Sequence, residues 1–317
     1  MKKRALICGI SGQDGSYLAN FLLNKGYKVF GTSRDAKISS FSNLQKLECK
    51  KKISFLSMTP DDFISVLVTF QKVQADEIYF LAGQSSVGLS FEQPAETIKG
   101  ILLGTLNALE AVKMLKKPTR IYFAGSSESF GDTNGEAANE KTPFKPKSPY
   151  AVAKASATWL VDNYREAYGL FACTGILFNH ESILRPEHFV TQKIISAARR
   201  IAEGSKEILE IGRLDISRDW GWAPEYVKAM WLILQQNKAE NFVIATGETN
   251  TLEKFVEVSF AYFNLDWKNY VRHNKNFMRP TDIMINVGDS NKAYKKLRWK
   301  AKFKMADVVK LMLNKKC

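Results

Sequence analysis

The chain has 317 residues, 45% of them hydrophobic, which is enough to bury a large core. This length suits one large domain, or a nucleotide-binding domain with a smaller companion. No apolar run reaches the roughly 18 to 20 residues that a membrane-spanning helix needs. The basic N-terminus resembles the start of a signal peptide, but Gly9, Gln13 and Asp14 interrupt the apolar segment that follows it. We therefore expect a soluble, cytoplasmic protein that does not bind membranes.

The formal net charge of +14 would suit nucleic acid, a membrane surface or anionic small ligands as partners. The lysines are spread along the chain, and no basic helix with interleaved aromatic residues occurs. The charge therefore indicates a solvated surface or a general attraction for phosphorylated substrates, and we expect no binding to nucleic acid.

The cysteines and histidines do not indicate a metal site. The three histidines lack metal-ligand spacing. The four cysteines are widely separated and form no CxxC pair: Cys8, Cys49, Cys173 and Cys317. Cys8 and Cys173 fall in predicted buried strands, so we expect reduced thiols that serve as packing residues. We predict no bound metal.

In chain order, the first half alternates between short apolar strands and helices. The predicted strands cover residues 4–10, 27–33, 76–83, 119–127 and 172–179. The predicted helices cover residues 16–25, 94–117 and a segment that begins near Tyr150. Strands that alternate with helices in this way indicate a parallel sheet covered on both faces. The sequence therefore predicts a Rossmann-type, doubly wound α/β domain over residues 1–178.

After residue 178 the pattern loosens. Polar loops are predicted at 180–190 and 213–224, with a helix near 190–203 and a later apolar segment, FVIATG. We interpret residues 179–317 as a smaller C-terminal α/β region that binds the substrate. Segments near 220–250 are expected to return to the first domain.

A glycine-rich turn follows the first strand and opens the first helix, with Gly9, Gly12 and Gly15 in the pattern GxxGxxG. Glycines let a backbone approach phosphates closely, and a helix N-terminus supplies free N–H groups and positive potential. The context of strand, glycines and helix therefore predicts a dinucleotide site.

The end of the second strand bears on the choice of cofactor. Arg34 suits the 2′-phosphate of NADP, whereas an acidic residue there would favour the ribose of NAD. The next residue is Asp35, which could pair with Arg34 or cap the following segment. We predict NADP, with NAD as the alternative. Further along, a strand ends in small residues at 81–85, as close approach of a cofactor requires.

Two motifs predict catalytic chemistry. Tyr150 and Lys154 are four residues apart, which places phenol and ammonium on one helical face. The ammonium, together with the nicotinamide charge, is expected to lower the pKa of the phenol, so that Tyr150 acts as a base on a sugar hydroxyl.

The second motif is Ser126-Ser127-Glu128, at the carboxyl end of a strand, where ligands of α/β sheets bind. The hydroxyl of Ser126 can bond the sugar hydroxyl that is oxidised. Once carbon 4 is a ketone, Glu128 can remove the acidic proton on carbon 5 and return it to the departing hydroxyl of carbon 6.

These residues resemble the extended short-chain dehydrogenase/reductase family, and more narrowly its GDP-mannose 4,6-dehydratase branch. The likeness covers almost the whole chain: GISGQDGSYLA, the Gln84-Ser85 strand end, SSES-FG, TPFKPKSPYAVAK, GILFNHES, FVTQK, RDWGWAPEYVKAMW, FVIATGE and RPTD. Three segments, GQDGSYLA, GILFNHES and RDWG, are together highly specific to that branch.

The resemblance implies an NADP-dependent lyase that converts a GDP-linked sugar to its 4-keto-6-deoxy derivative, as a homodimer or homotetramer. The implied catalytic residues are Ser126, Glu128, Tyr150 and Lys154. The implied cofactor residues are Gly9, Gly12, Gln13, Asp14, Gly15, Arg34, Leu81, Gln84, Tyr150 and Lys154. The implied substrate residues are Ser85, Asn179, Val190, Lys193, Arg218, Arg279 and Asp282.

Four departures from the branch pattern occur. Ser126 replaces a threonine and keeps the hydroxyl, and Arg34-Asp35 replaces a pair of arginines that belongs to a tetramer-forming loop. The triplet Leu56-Ser57-Met58 lacks an acid expected at the adenine. Residues 183–186, beside the sugar, read ILRP. The hexose therefore stays open between mannose, an acetamido sugar and a heptose.

Other functions share parts of this pattern. An NADPH-dependent reductase of a GDP-4-keto-6-deoxy sugar would also use Tyr150 and Lys154, but would consume its cofactor. A decarboxylase of nucleotide-linked uronic acids also carries such a Ser-Glu triplet but needs an arginine for the uronate. An epimerase and a non-catalytic nucleotide-binding protein are further alternatives.

Overall fold

The computed structural model describes residues 2–314. Its strands are β1 Arg4–Cys8, β2 Lys28–Ser33, β3 Ser54–Ser57, β4 Glu77–Phe80, β5 Arg120–Ser126, β6 Ala172–Leu177, β7 Asn179–Glu181, β8 Leu209–Ile211, β9 Ser217–Arg218, β10 Trp220–Trp222, β11 Phe242–Ile244, β12 Asn250–Thr251, β13 Val271–His273 and β14 Ile285–Asn286.

Its α-helices are α1 Gln13–Asn24, α2 Ser42–Lys46, α3 Phe63–Val73, α4 Val87–Glu92, α5 Pro94–Ile98, α6 Gly104–Met114, α7 Pro149–Tyr168, α8 Val190–Ala202, α9 Ala223–Leu234, α10 Leu252–Ala261, α11 Asn291–Leu297 and α12 Met305–Leu313. Short 3-10 turns cover Lys50–Lys52, Ser127–Phe130, Trp267–Asn269 and Lys275–Phe277. No helix within residues 2–314 is both long and apolar enough to cross a membrane.

Seven parallel strands form the central sheet, in the order β3-β2-β1-β4-β5-β6-β11. The residues of β4 and β6 are buried throughout, as expected of strands covered on both faces. The chain passes from β3 back across the sheet to β4, so the strand order reverses beside β1 and opens a crevice at the carboxyl ends. The predicted Rossmann-type fold class is confirmed.

Alternate residues of each strand face the two hydrophobic layers. Ala5 and Ile7 of β1 belong to the cluster beneath α1 and α9, whereas Leu6 and Cys8 belong to the cluster beneath α3, α6 and α7. Cys8, Cys49 and Cys173 are buried and form no disulfide among the described residues. Cys317 lies outside the described residues.

The chain beyond β6 has a third hydrophobic cluster, built from α8, α10, α12 and the short strands around them. These strands pair as β10-β7, β12-β9-β14 and β13-β8. The segment 223–244 returns to the main sheet, with α9 packed against α1 and β11 paired with β6. The boundary drawn at residue 178 stays a prediction.

Four predicted elements differ from the structure. The single helix predicted over 94–117 is interrupted by a π-helical stretch, Lys99–Leu103, next to Gly104, which packs closely against Pro60. The first helix begins at Gln13 instead of residue 16. The loops predicted at 180–190 and 213–224 contain β7, β9, β10 and the start of α9. Strands of two or three residues depend on distant partners, which local periodicity cannot indicate.

Candidate active site

The glycine turn lies between β1 and α1. Gly9 has φ +86°, a conformation that favours glycine. A Cβ on Gly15 would lie 2.5 Å from the Gly9 carbonyl oxygen and 2.7 Å from the Ile10 Cα, so no larger residue fits there. No side chain caps the N-terminus of α1 at Gly12. The N–H groups of Gly9, Ile10 and Gly12 already donate to the Thr32 and Gly9 carbonyls. The first N–H groups of α1, at residues 13–15, have no acceptor in the described chain and are therefore available to an anion.

The side chains of Gln13 and Asp14 reach across to the segment that follows β6. The Gln13 Nε2 donates to the His180 carbonyl oxygen (3.2 Å), and its Oε1 accepts from the Ser182 hydroxyl (2.7 Å). The Asp14 Oδ2 lies 2.9 Å from the His180 Nε2. We call these four residues the turn clasp. Because both side chains are engaged in the clasp, the groups of this segment that are left for an anion are the unused backbone N–H groups at the start of α1.

The turn clasp changes the ionisation of both members of its charged pair. Burial alone raises the pKa of Asp14, but the charge and hydrogen bond of His180 outweigh it and hold the pKa below its ordinary value. Burial alone lowers the pKa of His180, but Asp14 and the Phe178 carbonyl raise it overall. The His180 ring also stacks on Tyr226, with centroids 4.6 Å apart.

At the end of β2, Asp35 caps the next segment. Its Oδ1 accepts from the backbone N–H groups of Lys37 (2.8 Å) and Ile38 (3.3 Å). Arg34 is exposed, and no ion pair found within residues 2–314 includes it. Of the two roles left open for Asp35, capping is therefore the one observed. Arg34 keeps its guanidinium available at the edge of the crevice.

The segment after β4 borders the same crevice. Leu81 is half-buried and Ser85 is exposed. The Gln84 Nε2 donates to the Thr97 hydroxyl (3.1 Å), and its side-chain oxygen accepts from the Ser86 N–H. These contacts fix the Gln84 side chain against α5.

Tyr150 and Lys154 lie in the first turns of α7, which begins after Ser148 caps it by accepting from the Ala151 N–H (3.1 Å). The Lys154 Nζ donates to the Ala124 carbonyl of β5 (2.7 Å) and lies 5.7 Å from the centroid of the Tyr150 ring. Ser126, at the end of β5, forms a side-chain hydrogen bond with Tyr150. The structure therefore brings Ser126, Tyr150 and Lys154 together.

In the chain without cofactor, burial dominates the pKa of both catalytic groups on α7. Burial raises the pKa of Tyr150 to about 12, although the hydrogen bond from Ser126 acts to lower it. Burial also lowers the pKa of Lys154, to about 8. The expectation that the ammonium and the nicotinamide charge together lower the phenol pKa concerns the cofactor complex and stays a prediction.

Glu128 lies in the 3-10 turn Ser127–Phe130, and its backbone N–H donates to the capping hydroxyl of Ser126. Gly131 ends this turn with φ +72°, and a Cβ there would lie 2.2 Å from the Lys145 carbonyl oxygen. The Glu128 carboxylate is half-buried and has no hydrogen-bond or ion-pair partner within residues 2–314. Its negative charge acts to raise the pKa of both Tyr150 and Arg218, so the carboxylate lies near both groups.

Arg218 is 4% exposed, in β9. One terminal nitrogen donates to the carbonyl oxygens of Ile283 (2.7 Å) and Ser217 (3.0 Å), and the other is buried with no hydrogen-bond partner in the described chain. Burial lowers its pKa, and the charges of Glu128 and Asp282 oppose that effect. A buried guanidinium with an unused donor is suited to an anionic ligand.

The other predicted substrate residues differ in how they are linked to Arg218. Arg279 lies 3.7 Å from Asp282, whose Oδ1 is buried and accepts no hydrogen bond in the described chain. Lys193 donates to the Glu210 carbonyl (2.8 Å) and lies 4.4 Å from the Phe277 ring centroid. Within residues 2–314, no hydrogen bond or ion pair therefore links Lys193 to Arg218, Arg279 or Asp282.

Two further predicted residues begin elements of the C-terminal region. Val190 begins α8, and Asn179 begins β7 opposite Trp220. Both are half-buried.

Two positions of this site were not predicted. His180 contacts the glycine turn, and its place in the NHES segment is the sequence signal for that contact. Asn286, in β14, is 1% exposed and donates to the turn that carries Glu128. Nothing in its local sequence indicates that contact. No cluster of three or more metal-binding side chains occurs within residues 2–314.

The chain is similar to known proteins over nearly its full length. Residues 6–312 match the family model described as GDP-mannose 4,6 dehydratase. The chain is 45% identical to GDP-mannose 4,6 dehydratase 2 of Arabidopsis thaliana, over 99% of this chain and 86% of the relative. It is 42% identical to the GDP-mannose 4,6-dehydratase of Sinorhizobium fredii, over 97% and 94%.

Solved structures share the fold at lower identity. A dTDP-glucose 4,6-dehydratase of Streptomyces venezuelae, solved with NAD, has a TM-score of 0.87 and 20% identity, over 98% of this chain and 96% of that chain. A UDP-glucose 4-epimerase of Thermus thermophilus, also solved with NAD, has a TM-score of 0.85 and 24% identity, over 98% of each chain.

Proposed function

The chain belongs to the GDP-mannose 4,6 dehydratase family, and we propose that it removes water from GDP-mannose or a related GDP-linked sugar to give the 4-keto-6-deoxy derivative. The observation that carries this proposal is the place of Glu128. Its carboxylate has no partner in the described chain and lies near both Tyr150 and the buried Arg218. A base for a sugar carbon and an anchor for a nucleotide phosphate are thereby combined in one crevice.

The residues present fit a dinucleotide cofactor. The tight turn at Gly9 and Gly15 leaves no room for a side chain, and the uncapped N-terminus of α1 suits a pyrophosphate. Leu81 and Gln84 line the same edge. When bound, the dinucleotide supplies hydride acceptance from carbon 4 and hydride return to carbon 6.

Tyr150 acts first, as the base that takes the proton of the hydroxyl on carbon 4. The phenol is buried and its pKa is raised, so the reaction needs help to remove its proton. Ser126 contributes a hydrogen bond to the same oxygen, and the Lys154 ammonium contributes positive charge in a desolvated site. Glu128 then takes the proton of carbon 5, whose electron pair forms the double bond to carbon 6. The hydroxyl on carbon 6 leaves with the proton that Glu128 returns to it, as water. Carbon 5 regains a proton from Tyr150, which gives up the one that it took from the hydroxyl on carbon 4 and so returns to its starting state.

The nucleotide half of the substrate is held by the C-terminal region. Arg218 offers its unused terminal nitrogen to the diphosphate and Arg279 offers its guanidinium, since such groups form strong charge-assisted bonds to phosphate oxygens. Asp282 orients Arg279 through their ion pair, and its buried Oδ1, which accepts no hydrogen bond in the described chain, can accept one from the ligand. Lys193, Val190, Asn179 and Ser85 border the remaining parts of the substrate.

We infer that the cofactor is NADP. Arg34 is exposed and unpaired in the described chain, and Asp35 is occupied as a cap, so a 2′-phosphate meets a free guanidinium. Titration of NADP and NAD into wild-type protein and the Arg34→Gln variant tests this. We expect NADP affinity to fall roughly tenfold in the variant, the size of one charge-assisted bond, with NAD affinity unchanged. Equal losses for both cofactors would contradict the assignment.

We also propose that two or four copies assemble. Large apolar side chains are exposed on neighbouring helical segments: Ile98 (39%), Leu103 (38%), Val152 (44%) and Trp159 (56%). Such a patch suits contact with a second copy of the chain. Light scattering should give a dimer or tetramer for the wild type and a smaller species for Trp159→Glu.

A panel of GDP-, UDP- and dTDP-linked sugars tests the function directly. The panel includes GDP-linked mannose, an acetamido sugar and a heptose, and mass spectrometry detects loss of one water molecule. We expect water loss only from GDP-linked sugars, with no net change in the near-ultraviolet absorbance of the reduced dinucleotide at steady state. Stoichiometric consumption of reduced dinucleotide would instead identify a reductase.

A further inference from the structure

Asn286 joins the catalytic turn to the substrate-binding strand. Its side-chain Nδ2 donates to the carbonyl oxygens of Ser127 (3.3 Å) and Gly131 (3.2 Å). These two carbonyls stand at either end of the 3-10 turn that carries Glu128. One amide group therefore holds both ends of the turn.

The same residue is fixed to the anion-binding side of the crevice. Asn286 pairs with Arg218 in the parallel register of β14 and β9. Arg218 donates in turn to the carbonyl of Ile283, three residues before Asn286. The Asn286 side chain and the paired strands β9 and β14 thus link the turn that carries Glu128 to Arg218.

The surrounding contacts do not depend on the Asn286 amide. The Asp132 carboxylate accepts from the N–H groups of Met284 (2.7 Å) and Ile285 (3.4 Å), and the Thr133 N–H donates to the Ile285 carbonyl (2.9 Å). These bonds attach β14 to the chain after the turn. Removal of the Asn286 amide therefore leaves the strand in place and releases only the turn.

An asparagine at this position lowers the stability of the fold unless its bonds compensate for its burial. The residue is 1% exposed, and its Oδ1 has no hydrogen-bond partner in the described chain. A buried polar atom without a partner costs about 1–3 kcal/mol relative to one that is paired. If the site required only packing, an apolar side chain of similar volume would avoid that cost. The polar residue is explained by the two bonds to the turn.

We propose that Asn286 is a positioning residue for the elimination step, which holds Glu128 at a fixed distance from the substrate anchored on Arg218. This inference rests on the proposed function, because it assigns to Glu128 the proton transfer between carbons 5 and 6. Oxidation at carbon 4 uses Tyr150 and Lys154 on α7. Within residues 2–314, Asn286 forms no hydrogen bond with either of these residues. The two half-reactions should therefore respond differently to its loss.

The first test is the Asn286→Leu variant, which keeps a similar volume and removes both donors. We expect kcat to fall roughly 10- to 100-fold, the size expected for a displacement of about 1 Å, with KM changed little. Acid-quenched single turnovers should accumulate the 4-keto sugar nucleotide, lighter than the substrate by two hydrogens and not yet dehydrated. The control is Asn241→Leu. The Asn241 amide donates to the Asp162 carboxylate (2.7 Å) at the amino end of β11, whereas the crevice lies at the carboxyl ends of the strands. That variant should lose thermal stability without accumulating the ketone.

The second test is the Asn286→Asp variant, which can donate a hydrogen bond only when its carboxyl is protonated. Its kcat relative to the wild type should therefore rise as the pH falls from about 8 to 6, since burial raises a carboxyl pKa. The corresponding ratio for Asn286→Leu should stay constant. A merely structural role would give the same ratio for both variants at every pH.

Hydrogen–deuterium exchange separates this inference from the proposed function. Peptides that cover residues 127–131 should exchange faster in Asn286→Leu than in the wild type or in Asn241→Leu. Unchanged exchange, or a loss of kcat without ketone accumulation, would overturn the positioning role. If the wild-type protein dehydrates no sugar, the proposed function fails and the elimination role with it, while faster exchange would still show that Asn286 restrains the turn.

Discussion

The two halves of the molecule are built in different ways. The sheet half uses strands of four to seven residues, apart from β11, with helices on both faces, and its buried positions follow the strand and helix periods. The C-terminal half uses strands of two or three residues, which single side chains from distant segments hold in place. Asp132 reaches Met284 and Gln13 reaches His180 in this way. Local sequence thus specifies the sheet half, whereas long-range contacts specify the C-terminal half.

Glu128 lies where the two halves meet, so its replacement should have the largest effect. We expect the Glu128→Gln variant to lose roughly 10²- to 10⁴-fold in kcat, as general acid–base residues do. The amide cannot take the proton of carbon 5, so single turnovers should stop at the 4-keto sugar. Rapid quench with mass spectrometry measures this species. Release of the 4-keto-6-deoxy product at a near-normal rate would remove Glu128 from the mechanism.

The glycine turn tests the sheet half alone. In Gly15→Ala, the new methyl group must displace the Gly9 carbonyl or the Ile10 backbone. We expect the free energy of unfolding to fall by about 1–3 kcal/mol, the usual cost of overpacking, and dinucleotide affinity to fall at least about tenfold. Gly100→Ala is the matched control, because no atom lies within 4 Å of its added Cβ. Equal effects of the two variants would show that close backbone approach is not what the turn requires.

The contrast between the halves also explains which features the sequence could predict. The apolar runs around Ile7, Ile78 and Ile121 and the helix after Ser148 are local signals, and they predicted the sheet, its order of elements and the placement of Tyr150 with Lys154. The π-helical stretch at 99–103 could not be predicted, because the apolar residues around it keep the spacing of an α-helix. Its neighbour Gly104 packs against Pro60, a contact from another part of the chain.

The C-terminal half could be predicted only in part. The family resemblance implies a role for Arg218, but the burial of this arginine and its bond to Ile283 depend on β14 lying beside β9. The bonds of Asn286 to Ser127 and Gly131 join residues more than 150 positions apart. No period or motif encodes such a pairing, because it arises only when both halves have folded.

The turn clasp joins the halves, and His180→Gln tests how much it contributes. The pKa of His180 is raised in the folded chain, so its stabilising effect is full below the ordinary value of 6.5 and is lost as the pH rises through the raised value. Asp14 has a lowered pKa, so its contribution appears above 3.8 and is lost only as the pH falls through the lowered value. We expect the variant to be about 1–2 kcal/mol less stable at pH 6, with the difference shrinking at higher pH. Thermal melts from pH 5 to 9 measure this, and a difference that grows with pH would contradict the assigned pair.

We expect the smallest effect on activity from loss of the Lys154 proton. This change acts within the sheet half alone. Burial lowers the pKa of its ammonium to about 8 in the chain alone, so the protonated form is lost within the range where enzymes are assayed. Without that positive charge, the phenolate of Tyr150 is less stable and the first proton transfer slows. We therefore expect kcat/KM to fall by at most about tenfold for each pH unit above roughly 8, since one proton is lost. The pH profile of Asn241→Leu is the control and should match the wild type. A profile that stays flat to pH 9.5 would mean that the bound cofactor and substrate keep Lys154 protonated, or that its charge does not act on Tyr150. Direct titration of the Lys154 ammonium by NMR in the cofactor complex separates those two cases.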